Sequence, residues 1–328
     1  MTVAELVRTN RRELARLLTR VENGQADSEL AALYADTGQA RIIGVTGAPG
    51  TGKSSLVNAL AKHYRNEGRR VAIVAVDPTS PFTGGAILGD RIRMRDLAGD
   101  PDVFIRSMAS RGNLGGLART TADAIRVLDA AGFEVILVET VGAGQGEVDI
   151  AGATQTTLVI EAPGLGDNVQ AIKAGILEIA DILVVNKADN PAVENTIRAL
   201  RTMLDLGHRV ERTFDHGHLT ASRLEAGPQI GEEAVWQVPI LQTVATEGIG
   251  IADLAARIAA HGEYLRDTGT LVYRDHARIV AEVLDRLREA LLERQLGRIA
   301  PDYFAQLIDN VQNKQITPHQ AVEAMLRD

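Results

Sequence analysis

Residues 47–54 read Gly-Ala-Pro-Gly-Thr-Gly-Lys-Ser, the residue types and spacing of a loop that cradles phosphate. Gly47, Gly50 and Gly52 let the backbone turn tightly and point successive N–H groups at an anion, with Ala48, Pro49 and Thr51 completing the wrap. Lys53 is placed to reach the β and γ oxygens of a nucleotide, and the Ser54 hydroxyl to ligand Mg²⁺. Ser54 and Ser55 open a helical pattern with Leu56, Leu60 and Tyr64 on one face, so the dipole of that helix adds positive potential at the phosphates. An apolar run, Ile42-Ile43-Gly44-Val45, comes just before the loop. Strand, glycine loop and helix is the context that separates this motif from an ordinary glycine-rich turn.

Two further segments complete a nucleotide site. Asn186-Lys187-Ala188-Asp189 follows the apolar run 182–185. The Asp189 carboxylate can accept from guanine N1–H and the 2-amino group, whereas adenine would leave it unpaired. Asn186 can reach the base edge, and the Lys187 stem can lie over the ring. Thr243-Val244-Ala245, after the run 239–242, stands where a backbone N–H can meet the guanine oxygen; its side chains are unspecific, and a plain loop is the alternative.

Carboxylates supply the metal side. Glu139 ends the run Val135-Ile136-Leu137-Val138 and can hold Mg²⁺ directly or through water, and Gly142 can bring its N–H to the γ-phosphate. Gly144 and Gly146 suit a loop that orders on γ-phosphate and releases after hydrolysis. Asp77 either orders the attacking water or the metal shell, or shapes the turn at Pro78. Asp90 is a second carboxylate candidate near the metal, and Arg91, Arg93 and Arg95 either touch phosphate or form a solvated face. Lys53, Asp77 and Glu139 form the expected catalytic set. Gln145 is the nearest glutamine to the position that orients water in small signalling GTPases, so intrinsic hydrolysis should be slow and raised by a partner. The glycine-rich stretch Ser110–Leu117 has no role that its residues decide.

The elements that hold these groups follow from periodicity. Apolar runs at 42–46, 71–76, 135–139, 157–161, 182–186 and 238–243 alternate with helical stretches, which predicts a doubly wound, mostly parallel α/β sheet with its ligand at the carboxyl ends of the strands. Leu6, Leu14, Leu17, Leu18, Val21, Leu30 and Leu33 mark a helical preface over 1–38, broken at Asn23-Gly24. The domain carrying the motifs spans 39–262. Beyond it, 263–328 reads as a helical arm, with Val272, Ile279, Val280, Val283, Leu284, Leu287 and Leu291 along one long helix and a shorter helix after Pro318. Such an arm is too thin to cover its own stripe, which favours pairing with a second copy.

The 328 residues carry 35 Lys plus Arg against 43 Asp plus Glu, a net charge of −8, which disfavours nonspecific nucleic-acid binding. There is no cysteine, so disulfides, thiolate metal sites and cysteine nucleophiles are excluded. No run approaches the roughly 20 apolar residues of a membrane span, and residues 1–20 lack a signal core. A cytoplasmic protein is expected.

Taken together, Gly44-Val45-Thr46-Gly47, Val76-Asp77-Pro78-Thr79-Ser80, Gly85–Arg91, Leu114-Gly115-Gly116, Val138–Gln145 and Asn186–Asp189 resemble the MeaB/ArgK family of P-loop GTPases. The resemblance implies a protein that escorts adenosylcobalamin-dependent acyl-CoA mutases. Such proteins gate cofactor loading and protect the mutase, with GTP hydrolysis as the timer and Mg²⁺ as cofactor. It implies a homodimer held partly by the C-terminal arm. It also implies an adenosyltransferase as a second partner and no cobalamin bound by this chain itself. The family's mobile segment matches Pro163–Lys173, so Asp167, Gln170 and Lys173, with Gln145, are expected to relay nucleotide state; a capped loop is the plainer reading of the same residues. The client is open among methylmalonyl-, isobutyryl- and 2-hydroxyisobutyryl-CoA mutases. A P-loop kinase is one rival reading. A metal-delivery GTPase using His216 and His218 is another, and a nucleotide-bound scaffold that never hydrolyses is a third.

Overall fold

The computed structural model describes residues 2–78, 94, 96–97, 99–110, 116–140, 146–164, 177–206 and 235–327. They divide into two compact units, Met1–Arg274 and Asp275–Asp328.

The first unit is built on seven parallel strands: β1 (Arg41–Thr46), β2 (Val71–Pro78), β3 (Val103–Ser110), β4 (Val135–Thr140), β5 (Thr156–Glu161), β6 (Ile182–Asn186) and β7 (Ile240–Thr243). Their order across the sheet is β3-β2-β4-β1-β5-β6-β7, and neighbouring strands pair in parallel throughout. Alternate residues of each strand feed opposite faces. Ile42, Val74, Phe104, Met108, Ile136 and Val138 pack under the preface helices α1 (Val3–Thr9), α2 (Arg11–Glu22) and α3 (Asp27–Leu33), and under α5 (Gly116–Ala130) and α6 (Gly146–Ala153). Ile43, Val45, Ile73, Leu137, Leu158 and Val184 pack under α4 (Lys53–Asn66) and α8 (Ile251–Asp267). Leu183 and Val185 pack with Ile197 and Leu200 of α7 (Val193–Leu206). Helices on both faces explain why the central strands read as unbroken apolar runs.

The preface breaks at Asn10 as well as at Asn23. The Asn10 side chain accepts from the Arg12 and Glu13 amides at 3.0 and 3.2 Å and so caps α2. The segment joining the preface to β1 is tied down by Asp129 of α5, whose carboxylate accepts from the Gly38, Gln39 and Ala40 amides.

β3 was absent from the predicted strands. It lies at the sheet edge, its pattern is interrupted by Arg106 and Ser107, and Arg106 pairs with Glu22 of α2 at 2.5 Å. The preface supplies the partner for a charge that would otherwise argue against a strand.

The second unit comprises most of α9 (Thr270–Leu296) with α10 (Pro301–Gln312) and α11 (Pro318–Arg327). α10 was not anticipated. Pro301 at its first turn presets the backbone, and Leu307 is buried alongside Ile299 and Ala321. Thr317 and Gln320 form a reciprocal cap at the start of α11, at 2.8 and 3.2 Å.

Candidate functional site

The loop Gly47–Gly52 leaves the carboxyl end of β1 and enters α4, at the centre of the sheet. Gly47 and Gly52 have φ of 138° and 92°. A Cβ on Gly47 would strike the Ile160 carbonyl, and one on Gly52 would strike Asn186 Nδ2, so glycine is required at both on two counts. Thr51 is fully buried, and its hydroxyl donates to the Ala48 carbonyl at 2.9 Å. Lys53 is buried too. Its Nζ donates to the Gly47 and Ala48 carbonyls at 2.7 and 3.0 Å, holding the ammonium over the loop where a polyphosphate chain would run.

Ser54, the second residue of α4, donates its hydroxyl proton to Glu139 Oε1 at 2.7 Å. Both residues are buried, and Glu139 stands near the end of β4, beside β1. A hydroxyl and a carboxylate brought together at the edge of a phosphate loop are the oxygen donors that Mg²⁺ prefers, so the residues present fit that ion. Asp77 pairs with Ala109 of β3 one step before the end of that ladder, at the same carboxyl edge.

Asn186 ends β6 and joins three segments. Its Nδ2 donates to the Thr51 carbonyl at 2.9 Å, and its Oδ1 accepts from the Thr243 hydroxyl and the Ala245 amide, each at 3.1 Å. The Thr243 side chain, unspecific in the sequence, is therefore a fixed part of this junction, fully buried at the end of β7. Lys187 follows in the left-handed region, with φ of 57°. That conformation sends its Nζ to the Gly50 carbonyl at 2.8 Å, laying the stem across the loop. Asp189 is exposed in the next turn. The Val244 amide donates to Ile249 O at 3.1 Å and the Ala245 amide to Asn186, so two candidates for the N–H expected to meet the guanine oxygen are engaged within the protein. Ser55 is exposed on α4.

The structure thus gathers the loop 47–54, Glu139, Asn186, Lys187 and Thr243–Ala245 at one edge. Asp90, Gly142, Gln145, Asp167, Gln170, Lys173, His216 and His218 lie outside the described residues, as does the Asp77 side chain. Sequence reasoning missed the Thr51 carbonyl and the Thr243 hydroxyl as anchors of Asn186. No local pattern marks either, because both act through contacts across more than fifty residues of chain.

The family model for methylmalonyl Co-A mutase-associated GTPase MeaB matches residues 14–300. The chain belongs to the MeaB family. It is a GTPase, in keeping with its relatives' names. A protein of Pyrococcus horikoshii named as a GTPase is 43% identical over 326 residues, covering 99% of this chain and 96% of that one. GTPase ArgK of Escherichia coli is 37% identical, covering 73% of this MeaB-family chain and 75% of its own. The mitochondrial methylmalonic aciduria type A homolog of Caenorhabditis elegans is 28% identical, over 87% and 67%. Among solved structures, an LAO/AO transport system kinase superimposes with a TM-score of 0.70 at 25% identity, covering 99% and 95% of the two chains. The expected doubly wound parallel fold of a P-loop GTPase is the one observed.

Proposed function

We propose that this chain uses GTP binding and hydrolysis to gate the loading of adenosylcobalamin onto an acyl-CoA mutase and to protect that mutase. The observation that carries the reading is the family match over residues 14–300, a family named for its association with methylmalonyl-CoA mutase. The cobalamin belongs to the mutase or to an adenosyltransferase that feeds it, and this chain, in the cytoplasm, holds only nucleotide and Mg²⁺.

Within the site, the 47–54 amides grip the phosphates, and Lys53 exchanges its two carbonyl partners for β and γ oxygens. Ser54 and Glu139, with Asp77 and Asp90, are the residues that would hold Mg²⁺, which would supply positive charge against the charge developing on the transferred phosphoryl group. Asp189 selects guanine, and Lys187 supports the ring. The Ala245 amide can serve guanine O6 only by exchanging its bond to Asn186. Gly142 senses the γ-phosphate, and Gln145, Asp167, Gln170 and Lys173 pass its presence to the mutase. Hydrolysis is slow alone and faster with the partner bound.

The arm supports a homodimer. Val283, Leu287, Leu291 and Leu292 of α9 are each at least half exposed, an aliphatic surface that a second copy would cover.

A pull-down of an adenosylcobalamin-dependent mutase, comparing GDP with a non-hydrolysable GTP analogue, tests the central reading. Capture that depends on the nucleotide supports it, and capture indifferent to the nucleotide contradicts it. Because one structural relative is named a kinase, γ-labelled GTP is the companion experiment. Label released as phosphate supports a GTPase timer, and label on an acceptor protein supports phosphotransfer.

A further inference from the structure

The recorded ladder between β1 and β4 ends at Val45 opposite Glu139. Each strand runs one residue further while paired to its other neighbour: Thr46 opposite Val159 of β5, and Thr140 opposite Val76 of β2. At the seam itself the ladder is continued by side chains. The Thr140 hydroxyl donates to the Thr46 hydroxyl at 3.0 Å, and both residues are buried, at 5% and 0% exposure.

The position of this bridge is informative. Thr46 is the last residue before the phosphate loop, and Thr140 directly follows Glu139. By strand alternation Thr140 points to the face opposite the Glu139 side chain. On the α4 face, Ser54 and Glu139 close the seam at 2.7 Å. On the α6 face, Thr46 and Thr140 close it at 3.0 Å. α6 lies close against that second face because Gly44 has no side chain. A Cβ there would come within 2.8 Å of Thr154 Oγ1 and 3.1 Å of Ile150.

We infer that Thr46 and Thr140 are positioning residues for the metal site: their hydroxyl bridge fixes the separation of the β1 and β4 ends and, through it, the approach of Glu139 to Ser54. This rests on the reading of Ser54 and Glu139 as the residues that hold Mg²⁺. Neither threonine touches nucleotide in this account. Their removal should act on metal dependence rather than on the guanine pocket, which is built by β6 and β7.

The test uses Thr140→Val, which keeps shape and removes the donor, Thr140→Ser, which keeps the hydroxyl, and the double change Thr46→Val with Thr140→Val. Removing donor and acceptor together leaves no orphaned buried hydroxyl, so the double variant should keep a melting temperature near that of the parent. Two quantities are read against Mg²⁺ concentration: the hydrolysis rate, and the release rate of a fluorescent GDP analogue, with a second release measurement in EDTA. In Thr140→Val and the double variant, half-effective Mg²⁺ should rise about three- to tenfold in both readouts, the ratio of one net hydrogen bond. Release in EDTA should stay unchanged, and Thr140→Ser should restore the parent's Mg²⁺ dependence. An unchanged Mg²⁺ response alongside a lower melting temperature would overturn the inference and leave only a structural bridge. If the parent itself shows no Mg²⁺ dependence, the reading of the metal site fails and this inference fails with it.

Discussion

Asn186 makes three hydrogen bonds from one side-chain amide, and Asn186→Ala would strand the Thr51 carbonyl, the Thr243 hydroxyl and the Ala245 amide in a buried place. Leaving such groups unpaired costs about 1–3 kcal/mol each before relaxation. The expected result is a lower urea midpoint together with at least a tenfold loss of GDP affinity, read by chemical denaturation and a fluorescent-nucleotide titration. Lys53→Ala tests the chemistry at the phosphates. It removes the cation over the loop, and single-turnover hydrolysis should fall by about 10²–10³ while the fold melts normally. Equal phosphate release from Lys53→Ala and its parent would indicate that the measured activity is not this site's. Most of these residues were legible in the sequence because each motif carries its chemistry in adjacent positions. The anchoring of Asn186 by the Thr51 carbonyl and the Thr243 hydroxyl, and the bridge between Thr46 and Thr140, were not, since each such contact becomes informative only when its distant partner is known.

At the scale of elements, the central strands were readable because both of their faces are covered, so no polar residue interrupts them. β3 was not, because the charge on Arg106 is satisfied by Glu22 of a helix more than eighty residues earlier. Arg106→Ala should therefore lower stability by about 2 kcal/mol, the loss of a partly buried pair whose other member stays behind, with β3 as the first strand to gain hydrogen exchange. Gly44→Ala tests the close approach of α6. Its Cβ meets branched side chains at 2.8 and 3.1 Å, which implies an overpacking cost of about 1–3 kcal/mol and a lower melting temperature. A neutral Gly44→Ala would mean that Ile150 and Thr154 can give way. α10 escaped notice because it is short and its start depends on Pro301, a residue that opens a helix as readily as it ends one.

At the scale of the whole molecule, acid response and assembly follow from charge and exposure. The Arg65 guanidinium, at 2.8 Å, holds the Asp100 carboxyl below its ordinary value, aided by the Asp102 amide and against the effect of burial. Lys62 does the same for Asp96, and Ser28 with Arg20 for Glu29. In each case the unfolded chain takes up protons first. The stability these groups confer is therefore complete above the ordinary carboxylate range near pH 4 and is lost as pH falls through the depressed values. The denaturation midpoint should drop between pH 5 and pH 3, about 4 being the turning point, and Asp100→Asn should flatten part of that drop. For assembly, Leu287→Glu with Leu291→Glu should halve the mass seen by light scattering if α9 pairs with its copy, while nucleotide affinity stays constant. A parent that is already monomeric at high concentration would remove the arm from the account of dimerisation. The doubly wound layout was visible from alternation alone. The arm's partner was not, because an exposed stripe does not record what would cover it.

The central claim is that Asp189 makes this phosphate loop a guanine site, and calorimetry on the purified chain tests it directly. GTP should bind on the order of 100-fold or more tightly than ATP, because adenine leaves the carboxylate without its two donors. Asp189→Asn should weaken GTP and favour XTP, whose 2-oxo group accepts from the new amide. ATP bound as tightly as GTP by the parent, or an Asp189→Asn protein with unaltered base preference, would contradict the account.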